Sequence, residues 1–419
     1  MKILAVSLGV PGHLTPILAA ASMLVPYHEV RVLACNELSG MVHASGLPFI
    51  PEPEESSTFV GRFIALNPCF LQLAPGMEQL KFGLKNYIAA NIPLQAANIA
   101  TALATFPADL ILADSFFFGT LPMLLGPREK RPAIVHLGIS VLNVHSGEGV
   151  PLHPKISADQ QHADRMDYQR ELLDPVQIAF NNALAEFDLG ALEVPAMQSL
   201  SLLSDLYVHP GVRSFEYPHA PSNVHFIGRL PMAAAEVPLP TWWNDLDHSK
   251  HIVLVTQGTI ANRDLSQLIG PALTGLANES DVVVLVTTGG QPLESILDDL
   301  PANAHAADFL PFEAIFPYVD VLVTNGGYGT VNLALAHGIP IVAAGLSEDK
   351  AEVSAHVQWA GVGIDLCTTF AQAEDVRLAV RAALDAPNYA AQAKNIADDF
   401  TACDAKKSLL ELIKQLDTV

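Results

Sequence analysis

Short runs of Val, Ile and Leu alternate along almost the whole chain with longer stretches of helical spacing, and this alternation restricts the fold more than any other feature. The runs include residues 3–8, 30–34, 110–113 and 133–137, then 252–256, 282–286, 321–324 and 339–343. A strand covered by helices on both faces has no polar side to show, so it reads as an unbroken apolar run. Segments 14–24, 95–105, 265–277 and 330–337 carry helix spacing between the runs. The alternation predicts an α/β protein built on doubly wound parallel sheets. The pattern runs twice, separated by a Pro-rich stretch with Pro231, Pro238 and Pro240. The expected organisation is a Rossmann-like domain at 1–228, a linker at 229–250 and a second such domain at 251–419. Its last helical segment, 388–416, is free to pack back on the first domain.

Composition narrows the partners. Half of the 419 residues are hydrophobic and 16% are charged, which excludes a disordered chain. The formal charge of -22 repels nucleic acid phosphates and anionic lipid, so neither a nucleic acid partner nor a stable membrane anchor is expected. Cys35, Cys69, Cys367 and Cys403 form no CxxC pair and read as reduced thiols of a cytoplasmic protein. No run of 18 apolar residues occurs. The first ten residues have the charge and apolar stretch of a weak signal peptide, but Pro11-Gly12-His13 follows with no small-residue cleavage site, so a buried first strand is the reading. Residues 56–92 differ from the rest. Phe59, Phe63, Phe70, Met77, Phe82 and Tyr87 stand among Pro and Gly, as core on irregular helices or as the wall of an apolar pocket.

Several chemistries lack their motif. GxxxxGK[ST], HExxH and GxSxG are missing, and no GxGxxG follows the first strand. Asp245-Leu246-Asp247 has the form of a divalent-ion motif, but beside Trp242 and Trp243 in the linker it reads as a solvated turn, and no metal site is expected.

Three strand ends carry chemistry. In an open α/β sheet, ligands bind outside the carboxyl ends of the strands. His13 follows the first strand at such an end, as a general base or as a residue packed in a tight turn. Asp114 closes the strand at 110–113, as a carboxylate orienting that imidazole or as a helix N-cap. The strand at 321–324 delivers Asn325-Gly326-Gly327-Tyr328-Gly329-Thr330 into a helix. Glycines there let backbone amides approach an anion, which makes a diphosphate cradle without a lysine.

With these residues in view, the chain resembles nucleotide-sugar-dependent glycosyltransferase family 1, of the bacterial and fungal natural-product type. The resemblance rests on Gly12-His13-Leu14-Thr15-Pro16, Ala113-Asp114-Ser115, Thr256-Gln257-Gly258-Thr259 and the block from Phe309 to Lys350. It implies the GT-B fold, two Rossmann-like doubly wound parallel-sheet domains facing across a cleft. It also implies an inverting transfer of a hexose from a nucleotide diphosphate-sugar, UDP-glucose, to a hydroxyl of an apolar small-molecule acceptor. His13 is then the base and Asp114 its partner. Phe309 stacks on the nucleobase, with Leu310 beside it. Thr259, Asn325, Gly326, Gly327, Tyr328, Gly329 and Thr330 hold the diphosphate; Asp349 reads the sugar, and Lys350 either reads it too or pairs with Glu348 or Asp349 and sets their orientation. Phe63, Phe82, Phe116, Phe117 and Ser140 are the expected acceptor contacts. No cofactor or metal beyond the co-substrate is implied. Three positions depart from the family pattern: Asn325 replaces a diphosphate-binding His, Lys350 a sugar-reading Gln, and Leu333 a ribose-binding Glu of the plant enzymes. Other readings stay open: a sterol or glycolipid acceptor, a non-catalytic nucleotide-sugar binder, or an epimerase of the same fold.

Overall fold

The computed structural model describes residues 1–73, 76–142, 166–218, 220–231, 237–259, 262–297 and 300–416. They form two compact units: residues 1–211 with 218–233 and 403–419, and residues 212–217 with 234–402. Two stretches therefore sit in a different unit from the one that cuts at 228 and 251 assign. Residues 403–419 belong with the first unit and residues 212–217 with the second; part of the expected linker, 232–236, lies outside the described residues.

The first unit holds a sheet of β1 (Lys2–Val6), β2 (Glu29–Ala34), β3 (Phe49–Pro51), β4 (Leu110–Asp114), β5 (Ala133–Leu137), β6 (Leu206–His209) and β7 (Val224–Phe226). Its order is β3-β2-β1-β4-β5-β6-β7 and every pairing is parallel. All five residues of β4 are buried, and side chains alternate between two cores. Ile111 and Ala113 join Val176 and Phe180 on one face; Leu110 and Leu112 join Leu14 and Ile17 on the other. The unbroken apolar runs of the sequence have this cause.

The longer helices around the sheet are α1 (Pro11–Leu24), α2 (Ile92–Thr105) and α3 (Asp174–Ala185). Pro11 sits at N1 of α1, where a missing N–H costs nothing. The second unit holds β8 (His251–Thr256), β9 (Val282–Thr287), β10 (Ala304–Ala307), β11 (Val321–Thr324), β12 (Ile341–Ala343) and β13 (Gly363–Asp365) in the order β10-β9-β8-β11-β12-β13, again all parallel. Its longer helices are α4 (Ile269–Leu276), α5 (Tyr328–Ala336), α6 (Lys350–Trp359), α7 (Ala373–Asp385) and α8 (Pro387–Thr401). The final helix, α9 (Ala405–Leu416), lays Leu409, Leu412 and Ile413 into the core of the first unit beside Leu14 and Ile17.

Both sheets reverse their winding at a central strand. From β1 the chain adds β2 and β3 on one side, then returns to place β4 on the other; β8 and β11 repeat this in the second unit. The crevice outside the carboxyl ends at such a reversal is where an open α/β sheet takes a ligand. Among the described residues, no helix is long and apolar enough to cross a membrane.

Candidate active site

The reversal in the first unit brings His13 and Asp114 together. Val6 is level with Ala113 in the β1–β4 register, so both strands release their chains at one edge. Asp114 is buried, and two backbone amides fix it: Leu8 N donates to Oδ2 at 2.6 Å and Phe116 N to Oδ1 at 2.7 Å. His13, the third residue of α1, points Nδ1 at Oδ1 from 3.3 Å. A proton on Nδ1 is then donated to the carboxylate, and Nε2 keeps its lone pair. Nε2 takes no hydrogen bond among the described residues, and the imidazole is partly exposed. Phe116 meets its ring edge to face at 5.5 Å. Asp114 thus caps the local turn through Phe116 and orients the imidazole at once.

The turn before His13 is braced from one side. A Cβ on Gly9 would lie 2.4 Å from the Thr58 carbonyl oxygen, and Val60 N donates to Gly9 O. Thr58 is in turn held by Glu52, which accepts from its N at 2.8 Å and its Oγ1 at 2.9 Å, and by the Tyr87 hydroxyl. Burial pushes the Glu52 carboxyl above its ordinary range.

The expected acceptor residues divide. Phe117 is 1% exposed and Phe63 8%, and both side chains lie inside the core. Phe63 packs against Phe70, Phe82 and Tyr87 instead. Phe82 keeps a partly exposed face. Phe116 reaches the surface beside His13 and, with Ser115, Val141, Met197, Leu200 and Tyr207, lines a small depression. Ser140 is buried, and its hydroxyl has no hydrogen-bond partner among the described residues. Val141, Met197 and Leu200 carried no sequence signal, being ordinary apolar residues far apart in the chain.

The second unit offers backbone where the first offers side chains. Gly326 follows β11 with φ +88°, a left-handed conformation that favours glycine. A Cβ there would meet Ser354 Oγ at 2.8 Å. Gly327 is the N-cap of α5, and Gly327 and Gly329 both face open space. The first amides of a helix have no partner within it, so the start of α5 presents them outward. Asn325 is buried and spends an amide proton on Gln257 O at 2.5 Å, joining the turns that follow β8 and β11. Thr259 is exposed and Thr330 partly so.

Two side chains turn away from the cradle. Tyr328 is buried and its hydroxyl reaches Glu216, so only its backbone faces the α5 start; Leu310 is likewise buried. Phe309 is 50% exposed, and its other face rests on Gly290, where a Cβ would approach the ring to 3.0 Å. Asp349, the N-cap of α6, is partly exposed; its backbone carbonyl accepts from Glu352 N and Val353 N, and its carboxylate makes no cap hydrogen bond. Lys350 is buried, and its ammonium pairs with Glu348, a non-glycine residue at φ +56°. That pairing occupies the group expected to read the sugar. Asp247 accepts from Ser249 N and Oγ in an exposed turn, and no cluster of three metal-ligating side chains gathers among the described residues.

Residues 273–416 match the family model of the erythromycin biosynthesis protein CIII-like C-terminal domain. The chain is 33% identical to 4'-demethylrebeccamycin synthase of Lentzea aerocolonigenes, covering 97% of each chain. It is 31% identical to UDP-glycosyltransferase 2 of Phaeomoniella chlamydospora, covering 96% of this chain and 95% of that one. The fold is that of a spinosyn rhamnosyltransferase solved with thymidine diphosphate, with TM-score 0.71 at 19% identity over 99% of this chain and 100% of that one.

Proposed function

The chain belongs to the nucleotide-sugar-dependent natural-product glycosyltransferases of GT-B fold and is a hexosyltransferase, and from that premise we propose that it moves a hexose from UDP-glucose to a hydroxyl of an apolar small molecule, with inversion and with His13 as base. The observation that carries this reading is the His13–Asp114 pair at the carboxyl edge of the β1–β4 reversal. Nε2 removes the proton of the acceptor hydroxyl as its oxygen attacks the anomeric carbon. Asp114 holds the ring in the required tautomer and stabilises the imidazolium that forms. Asp114 is buried and already holds two amides, so it is not placed to attack a sugar carbon itself. A single displacement from the face opposite the leaving group follows, and that inverts the centre.

In this reading the nucleotide sugar is held by the second unit. Phe309 stacks on the base, and the amides at the start of α5 take the diphosphate and the charge it gains on leaving. Asp349 accepts from sugar hydroxyls. The acceptor lies against Phe116, the aromatic that meets the His13 ring. UDP is favoured because the name of one relative specifies it, although the solved spinosyn rhamnosyltransferase holds thymidine diphosphate. No cofactor beyond the co-substrate is called for.

The test is incubation with UDP-glucose or dTDP-glucose and a panel of phenols, macrolides and sterols, read by mass spectrometry. A gain of one hexose on a phenol or macrolide, with a β-linkage from an α-linked donor, supports the proposal. Retention of configuration would remove the single-displacement mechanism, and transfer only to sterols would change the acceptor class.

A further inference from the structure

A buried cluster in the second unit has no part in the chemistry above. Residues 212–217 are flanked in sequence by β6 and β7 of the first sheet, yet they belong to the second unit. Glu216 within them is 3% exposed. Burying a carboxylate is costly unless its partners are well placed, and two are visible. The Tyr328 hydroxyl donates to Oε1 at 3.5 Å. Oε2 lies 3.4 Å from Nε2 of His356, which is fully buried. The Tyr217 ring lies over the imidazole with centroids 3.8 Å apart, and Phe215 closes another side at 5.8 Å.

The positions of the two partners give the cluster its meaning. Tyr328 is the first residue of α5, the helix whose start presents the amides. His356 lies on the second turn of α6, whose N-cap is Asp349. One carboxylate from a third segment thus touches both helices. The helix starts already abut: a Cβ on Gly326 would lie 3.2 Å from Lys350 O, and one on Gly345 would lie 2.2 Å from Asn325 O. An apolar side chain of the same volume would fill the space but leave the buried His356 imidazole without this carboxylate. It would offer no polar atom to either helix, whereas one carboxylate oxygen lies within reach of the Tyr328 hydroxyl and the other within reach of the His356 imidazole.

We propose that Glu216 is a positioning residue for donor recognition, setting the start of the diphosphate-binding helix α5 against the start of the sugar-reading helix α6. The two groups of one donor molecule are then read at a fixed separation, and a small displacement of either helix loses their joint recognition. The inference rests on the donor reading above.

Titration calorimetry on the full chain with UDP, dTDP and UDP-glucose tests it. Glu216→Gln keeps the shape and loses the charge. It is expected to weaken UDP binding about tenfold or more, and to change the ratio of UDP-glucose to UDP affinity. A packing role alone would lower the melting temperature but leave both affinities of the folded protein at the parent values, and that result overturns the inference. Should Glu216→Gln fail to fold, Tyr328→Phe removes only the hydroxyl on the α5 side. A shifted affinity ratio in that variant supports the proposal, and parental affinities overturn it. A parent protein that binds neither UDP nor dTDP overturns the donor reading and this inference together. Parental binding with an indifferent Glu216→Gln overturns the inference alone.

Discussion

The two reversal points share a topology and differ in what they offer a ligand. At the β1–β4 edge the chain delivers side chains, an imidazole and a carboxylate, and uses backbone amides only to hold the carboxylate still. At the β8–β11 edge it delivers backbone, with Gly326, Gly327 and Gly329 clearing the way to the start of α5. The difference follows from the tasks proposed for them. Moving a proton needs a group that titrates near neutrality, which the backbone cannot supply. Holding a diphosphate needs several fixed donors at close range, which side chains supply only at a cost in entropy. The same edge of the same fold therefore tolerates different damage in the two units: loss of a functional group in the first, intrusion of a side chain in the second.

His13→Ala tests the contrast most sharply. It deletes the functional group without burying anything new, so kcat is expected to fall about 10²–10⁴-fold, with UDP affinity by calorimetry at the parent value. Asp114→Asn should cost less in kcat, but its single side-chain oxygen can accept from only one of the Leu8 and Phe116 amides, so a lowered melting temperature is expected with it. Near-normal turnover in His13→Ala would end the side-chain account of the first unit.

A matched glycine pair tests the second unit. Gly326→Ala forces a Cβ onto Ser354 Oγ at a left-handed residue, and the start of α5 must shift. A loss of UDP affinity of about 10²-fold is expected from misplacement on the ångström scale. Gly329→Ala adds the same atom into open space and should change affinity little, unless the diphosphate itself occupies that space. Equal effects from the two would remove the steric explanation.

Phe309 is the exception that sharpens the contrast, a side chain serving the backbone-built site. Its exposed face is expected to stack on the nucleobase, a contact worth roughly 1–3 kcal/mol. Phe309→Ala should weaken UDP binding accordingly, and Phe309→Trp should hold it. If both bind UDP like the parent, the base lies elsewhere.

The legibility of the sequence follows the same division. The unbroken apolar runs announced parallel strands, and what stands at a strand end is read directly from the chain, so His13, Asp114 and the glycine turn were all visible. Burial away from the strands was not. Phe63, Phe116 and Phe117 look alike in sequence, yet only Phe116 shows a face beside His13, because burial depends on what residues distant in the chain pack against it. The motif places the Tyr328 and Lys350 backbones but not their side chains. One hydroxyl turns to Glu216 and one ammonium to Glu348. The boundary of the first unit was hidden for a similar reason. Pro210-Gly211 and Pro218 bracket residues 212–217, but only the fold shows what the segment packs against: Glu216 and Tyr217 meet His356, some 140 residues later.

That hidden cluster gives the smallest effect, and one that depends on pH. Burial alone would lower the His356 pKa. The Glu216 carboxylate, 3.4 Å from Nε2, outweighs this with help from Glu352 and holds it above the ordinary imidazole value. Tyr217, the other titratable ring against it, has its own pKa pushed far up by burial and stays neutral. A histidine whose folded pKa is raised adds stability that is complete below its unfolded pKa, near 6.5, and is lost as pH rises through the folded value. His136 works in the opposite window: burial lowers its pKa to about 4, so its effect appears as the pH falls below 6.5. The His356 contribution is isolated by comparing urea unfolding of the parent and His356→Gln from pH 5.5 to 9. The parent should lead by most at the acid end and lose that lead as the pH rises, since Gln keeps a donor for Glu216 but no charge. A gap that stays constant across the range would mean that His356 is held neutral and that Glu216 finds its counter-charge elsewhere.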